Sequence, residues 1–269
     1  MDLPYTRIKG GVCAAREFLG SAISCGIKNP KSDRLDLSLI YSKIGCLSAG
    51  MFTQNRVKAA PVRVSQSHLR AESLRAIITN SGNANACTGP TGMQDAKNMA
   101  KETSKLLGLR QREVGVCSTG VIGLPMPMIR IEPKYEVLVA GLGPKNGNDV
   151  ARSIITSDTH EKEFAISFEL HGKRVRIGGC AKGAGMINPN MATMLCFITT
   201  DANIGKRGLK EAIENSVENT FNRITIDGDT STNDSVIVLA NGAAENKTIR
   251  RGTKAVSYTH LTLPTILPV

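Results

Sequence analysis

The chain has 269 residues, 41% of them hydrophobic and 21% charged, which is ordinary for a globular protein with a substantial core. No window of about 18 uninterrupted apolar residues exists, which argues against a membrane-spanning helix. The formal net charge of +11 is spread along the chain, with its densest groups at 70–75, 173–176 and 250–254 and only 4% aromatic residues. Nucleic-acid binders concentrate such charge in a stripe with stacking aromatics, so the balance here fits attraction of anionic small molecules such as carboxylates.

Seven cysteines without a C-x-x-C pair read as reduced core thiols, and four histidines outside any ligand cluster predict no protein-bound metal. The opening MDLPYTRIKGGV lacks the apolar segment of a signal peptide, which predicts a cytoplasmic protein, or an organellar one if a leader is missing.

Taken in chain order, Leu35 to Tyr41 and Gly50 to Phe52 read as short strands. In the TQNRVKAAPV segment that follows, Arg56 and Lys58 are candidate carboxylate ligands. Arg75 to Thr79 is a strand candidate that runs into NSGNANACTGPTG, with Thr91 as the expected N-cap of a helix. That helix places Met93, Ala96, Met99 or Ala100, Thr103 and Leu106 or Leu107 on one face and stops at Gly108. Val114 to Ser118 is a further strand ending in STGVIG. Small residues there (Thr119, Gly120, Gly123) let backbone N–H groups point outward toward negative charge.

Pro125 to Leu142 is expected to be helical in two pieces broken at Pro133, and Asn148 to Ile154 forms a short helix. Phe164 to Leu170 and Arg174 to Gly178 alternate around His171-Gly172 as a hairpin. The central stretch, KGAGMINPNMATMLCFITTDA, changes abruptly from an irregular loop to a buried strand over Met194 to Thr200, with Thr193 at the junction. Lys206 to Phe221 is an amphipathic helix with Leu209, Ile213, Val217 and Phe221 on one face. Two β-rich stretches then bracket Asp227 to Asp234. Thr232 and Val238 stand where an EF-hand needs Gly and Glu, so calcium is rejected there. No G-x-G-x-x-G, P-loop or G-x-S-x-G pattern is present.

The motifs GGV at Gly10, CGIK at Cys25, FTQNRVKAAPV at Phe52, NSGNANACTG at Asn80, STGVIG at Ser118, KGAGMINPNMATML at Lys182 and ITIDGDTSTNDS at Ile224 together resemble the glutamate N-acetyltransferase family, also called ornithine acetyltransferase. The resemblance covers nearly all of residues 8–255. It implies an α/β fold of mixed sheets layered against helices, the self-cleaving Thr-nucleophile (DmpA/ArgJ-like) fold. It further implies cleavage between Ala192 and Thr193 into an α chain, 1–192, and a β chain of which 193–255 would be part. Residue by residue, Thr193 would be the nucleophile, and Thr119 and Gly120 would form the oxyanion hole. Thr159, Lys182 and Thr193 would bind substrate, with Thr156 one short step from Thr159.

The freed Thr193 α-amine, with an ordinary pKa of about 7.7–8.0, would serve as base for its own hydroxyl. The implied reaction moves acetyl from N-acetylornithine to glutamate through an acetyl-Thr193 ester, in arginine biosynthesis, without a cofactor. Some members of the family also accept acetyl-CoA, and the implied assembly is α2β2. A related N-terminal-nucleophile aminopeptidase or amidohydrolase and an inactive binding protein are the alternatives.

Only 77 residues, 193–269, follow the expected cleavage point, whereas family β chains are about as long as their α chains. An acidic substrate ligand downstream and polar ligands at the family's C-terminus have no counterpart, which predicts impaired catalysis by this chain. The uncharged VSYTHLTLPTILPV over 256–269 resembles adapter readthrough and is expected to be non-native, the alternative being an apolar terminal strand.

Overall fold

Strand and helix periods sort the chain into two sheets with helices outside them. The computed structural model describes residues 4–183, 194–223 and 230–250. In chain order the elements are β1 (Tyr5–Arg7), β2 (Phe18–Ile23), β3 (Leu37–Ser42), β4 (Leu47–Phe52), α1 (Ala60–Ala71), β5 (Ala76–Asn83), α2 (Gly89–Leu107) and β6 (Val114–Val121). They continue as α3 (Met128–Ile131), α4 (Tyr135–Ala140), α5 (Gly147–Ile154), β7 (Lys162–Leu170), β8 (Lys173–Lys182), β9 (Leu195–Thr200), α6 (Lys206–Asn219) and β10 (Ser235–Ala240).

Among the described residues one sheet has six strands in the order β1-β7-β8-β9-β10-β4, the other four in the order β2-β3-β5-β6. Both are mixed: β9 with β10 and β5 with β6 are parallel pairs, and the remaining pairs are antiparallel. The expected α/β class with mixed sheets against helices is therefore what the chain adopts.

The apolar strands are buried on both faces, and alternate residues enter different cores. Val236, Val238 and Ala240 of β10 join Cys196 and Ile198 of β9 in a core covered by Leu209, Ala212, Ile213 and Val217 of α6. Ile237, Leu239, Leu195 and Phe197 face the other way, toward Ile40, Ile77 and Cys117 of the second sheet. The outer face of that sheet, with Leu39, Ile78 and Val116, packs under α2, α3 and α4 through Met99, Ile131 and Leu138. The layers run α6, six-stranded sheet, four-stranded sheet, α2 to α4.

Several expectations change in detail. The second helix begins at Gly89 with Thr88 as its cap residue, and Thr91 is not its cap, because the fixed φ of Pro90 already suits the first turn. Gly108 ends it at φ +64°, as expected, and its buried face is Gly92, Ala96, Met99, Ala100, Thr103 and Ser104, with Leu106 exposed. The Val114 strand runs on through Thr119 and Gly120 to Val121. The segment around Pro133 divides as foreseen, into two α pieces joined by a 3-10 turn at Glu132–Lys134.

His171 and Gly172 take φ +51° and +73°, the left-handed pair that a tight two-residue hairpin requires. α1, β1 and β2 have no counterpart in the sequence reading. α1 carries Val62 and Val64 and has no side-chain cap; only Pro61 in its first turn signals a helix start. The seven cysteines are free, but Cys87 is exposed while Cys13, Cys117, Cys180 and Cys196 are buried. Residues 224–229 and 251–269, and with them the first of the two late β-rich stretches and the uncharged tail, lie outside the described residues.

Candidate active site

β8 and β9 are antiparallel and β9 and β10 parallel, so the end of β8 meets the starts of β9 and β10. Lys182, Met194 and Asp234 gather there, and the far end of β6 brings Thr119 and Gly120 from the other sheet. Lys182 is buried, and its Nζ donates to Thr119 Oγ1 at 3.0 Å across 63 residues of sequence. With its lone pair engaged by an ammonium, the Thr119 hydroxyl is left to donate its own proton outward. Gly120 sits beside it at φ +135°, where an added Cβ would lie 2.3 Å from the Gly82 carbonyl carbon.

Burial shapes the charges. Desolvation lowers the Lys182 pKa from its ordinary value, against the pull of Asp158 and Asp234. Desolvation also pushes the Asp234 carboxyl up to about 7, against hydrogen bonds from Met194 N, at 2.9 Å to Oδ1, and from the Ser231 side chain; among the described residues its Oδ2 is buried without a partner. Burial likewise acts upward on Asp158, but hydrogen bonds from Lys162 Nζ at 2.7 Å and Gly183 N at 2.9 Å outweigh it and hold that group below its usual value. This pair fastens the chain where it leaves β8.

A cavity of about 710 Å³ opens at this junction. Lys28, Arg34, Thr119, Gly120, Thr156 and Lys182 are among its lining residues, with Asp36 as the one acidic side chain among the described lining. The Asp36 carboxylate is already engaged, taking N–H bonds from Cys25 and Ile27 at 2.6 Å each, and so shapes the loop that presents Lys28. Arg34 donates to Ile155 O and Thr156 O across the rim. The result is a cationic chamber suited to carboxylates.

Of the residues singled out by sequence, Thr119, Gly120 and Lys182 come together around this cavity. Thr159 is exposed, bonded to its neighbour His160, and outside the lining, whereas Thr156 is in it. Arg56 and Lys58 are not among the lining residues. Ala192 and Thr193 lie outside the described residues; Met194, the next residue in the chain, begins the strand segment that Asp234 holds. Asn233, Asp234 and Lys28 were not singled out, although each lies in a quoted motif. Their signal was residue type inside a motif, with no local periodicity to mark it.

Comparison with known proteins bears on this site. A protein from Symbiobacterium thermophilum called arginine biosynthesis bifunctional protein ArgJ is 46% identical over 245 residues, covering 91% of this chain and 61% of that protein. A second ArgJ, from Caldanaerobacter subterraneus, is 45% identical, with 97% and 66% covered. The chain thus spans about three fifths to two thirds of the length of these relatives.

A crystal structure of Bacillus halodurans ArgJ aligns with a TM-score of 0.65 at 36% identity, and Mycobacterium tuberculosis ornithine acetyltransferase complexed with ornithine with 0.61 at 33%; each covers 71% of this chain and 100% of the solved one. The L-aminopeptidase D-Ala-esterase/amidase of Ochrobactrum anthropi, a variant of the Ntn hydrolase fold, aligns over 98% of this chain and 87% of its own with a TM-score of 0.55 at 10% identity, a likeness of fold alone. The ArgJ family model matches residues 20–265, a stretch that includes every residue lining the cavity, and on that match the chain belongs to the ArgJ family.

Proposed function

We propose that the cavity is an acyl-transfer site in which acetyl passes from N-acetylornithine to glutamate by way of Thr193, freed by cleavage after Ala192. The observation that carries this reading is the Lys182–Thr119 bridge, which joins the two sheets close to Met194, the residue after Thr193. The relatives named for arginine biosynthesis and the ornithine complex of the Mycobacterium tuberculosis enzyme support the substrate class.

In this mechanism the Thr193 amine takes the proton of its own hydroxyl, and the alkoxide attacks the acetyl carbonyl. The Thr119 hydroxyl and the Gly120 N–H donate to the tetrahedral oxyanion, each such donor contributing about 3–4 kcal/mol. Ornithine leaves with the proton, and glutamate repeats the sequence in reverse. Lys182 orients Thr119 and, with Lys28 and Arg34, draws the substrate carboxylates. Acetyl-CoA is a co-substrate of some family members and adds no step here.

Self-cleavage is compatible with the topology. Strands from either side of the proposed cut interleave in one sheet, β8 with β9 and β10 with β4, so the two chains stay joined through the β8–β9 and β10–β4 ladders. The two solved family chains are each matched in full by 71% of this 269-residue chain, about 191 residues, which is close to the 192 that precede the proposed cut. An α2β2 assembly, in which two cut protomers associate, belongs to the same reading.

Intact mass of the purified chain beside its Thr193→Ala variant tests this. Two fragments meeting between Ala192 and Thr193 in the parent, and one uncut chain in the variant, are expected. Cleavage in both, or acetyl passing to water but not to glutamate, would refute the reading. Lys182→Met is expected to lower acetyl transfer at least 100-fold while leaving the melting midpoint unchanged or raised, since it removes a desolvated cation from the interior. Calorimetry and an ornithine-release assay read the two effects.

A further inference from the structure

Among the described residues β6 is the outermost strand of its sheet, so residues 114, 116 and 118 turn their backbone groups away from β5. Side chains from elsewhere cover this edge one position at a time. His68 Nδ1 lies 2.8 Å from Val114 O. Ser65 Oγ donates to Val116 O at 2.7 Å and accepts from Val116 N at 2.8 Å. Asn233 Nδ2 then donates to Ser118 O at 2.9 Å. Gly120 follows two residues on, opposite the register shift at Gly82 and Asn83, and lies at the cavity.

Asn233 differs from the other two in what it is attached to. Ser65 and His68 belong to α1, whereas Asn233 stands just ahead of β10, beside the start of β9. Its amide nitrogen also donates to Ala84 O at 2.6 Å, and its Oδ1 accepts from Thr232 Oγ1 at 2.6 Å. It is buried. The very next residue faces the other sheet: Asp234 Oδ1 accepts from Met194 N, and Ser235 N donates to Met194 O at 3.1 Å. The segment is further tied down by Ala59 N to Thr232 O and Thr53 N to Asp234 O, at 3.0 Å each. Two adjacent residues therefore hold the strand of the oxyanion donors and the strand that follows the nucleophile.

We propose that Asn233 is a positioning residue for acyl transfer, its single amide fixing the Thr119–Gly120 segment of β6 at a set distance from the start of β9. This rests on the acyl-transfer reading of the cavity. Without the amide, Ser118 O and Ala84 O lose their shared donor, and the last turn of the edge ladder before Gly120 is released. Asn233 also lines the cavity, but Lys28 and Arg34 reach it from a separate loop, so carboxylate binding changes little. The rate suffers, because a displacement of about 1 Å in an oxyanion donor is enough to cost on the order of 100-fold.

The test compares the full chain with Asn233→Ala and Asn233→Asp, the latter retaining the size and Oδ1 but losing both donor hydrogens. Initial rates of ornithine release from N-acetylornithine are expected to show kcat reduced about 100-fold with KM within a few-fold of the parent. Amide hydrogen exchange is expected to quicken at least 10-fold at residues 118–120 and to stay unchanged at 114–117, where Ser65 and His68 still cover the edge. Unchanged kcat in a chain that is otherwise active, or unchanged exchange at 118–120, would overturn the proposal. If the parent releases no ornithine, the acetyl-transfer reading fails for this chain, and the exchange pattern alone upholds or overturns the strut. Asn233→Ser, which keeps one short donor, carries the same measurements should the alanine variant not fold.

Discussion

Gly120→Ala is expected to destabilise the protein by roughly 2–6 kcal/mol and to abolish the proposed acyl transfer. Two costs add. An alanine at φ +135° adopts a backbone conformation that L residues rarely take, at about 1–3 kcal/mol. Its Cβ would also sit 2.3 Å from Gly82 C and 2.5 Å from Asn83 N, which are backbone atoms and cannot rotate aside. Overpacking of this kind costs about 1–3 kcal/mol.

The strand must then move away from β5, and that movement carries Thr119 and Gly120, the proposed oxyanion donors, with it. For a chain of this size the melting midpoint should fall by about 4–24 °C. Gly123→Ala is the control: its φ is also positive, at +84°, but nothing lies within 4 Å of an added Cβ. Only the smaller conformational cost applies there. Calorimetry of the two variants separates the contact from the dihedral, and equal midpoints would show that the Gly82 contact is unimportant.

Asp234→Asn is expected to change how stability depends on pH. Burial raises the folded-state carboxyl to about 7, above its unfolded value near 4. Between these two values the folded state holds a proton that the unfolded state has released, so stability falls as pH rises from about 4 to about 7. The penalty is absent below that window and complete above it, where it amounts to roughly 4 kcal/mol.

The asparagine variant keeps an oxygen for Met194 N and carries no charge to desolvate. Denaturant titrations should therefore find the variant close to the parent at pH 4 and more stable at pH 8. A variant less stable than the parent at pH 8 would mean that the Asp234 charge is compensated by Lys182 more fully than burial opposes it. Since this charge lies beside Lys182, the gain in stability should come with a loss of activity.

Much of the local structure was legible in the residues. The paired left-handed residues His171 and Gly172 mark the β7–β8 turn, Gly108 marks the end of α2, and the run from Met194 to Thr200 reads as a buried strand, which the structure begins at Leu195. The helix at Lys206 follows from a four-residue spacing of apolar side chains. α1 was not legible, because its packing is what makes it a helix: Ser65 and His68 cover the edge of β6, and Val62 and Val64 are buried.

The sequence by itself determined the periodic elements and the motifs that carry Thr119, Gly120 and Lys182, because strand alternation, helix spacing and turn residues act over a few positions and leave a local record. Only the tertiary structure decided that Lys182 reaches Thr119 across 63 residues and Asn233 reaches Ser118 across 115. It also decided that Thr156 lines the cavity while its neighbour Thr159 faces solvent. Contacts of that range depend on how two sheets stack, and no spacing within a single segment encodes it.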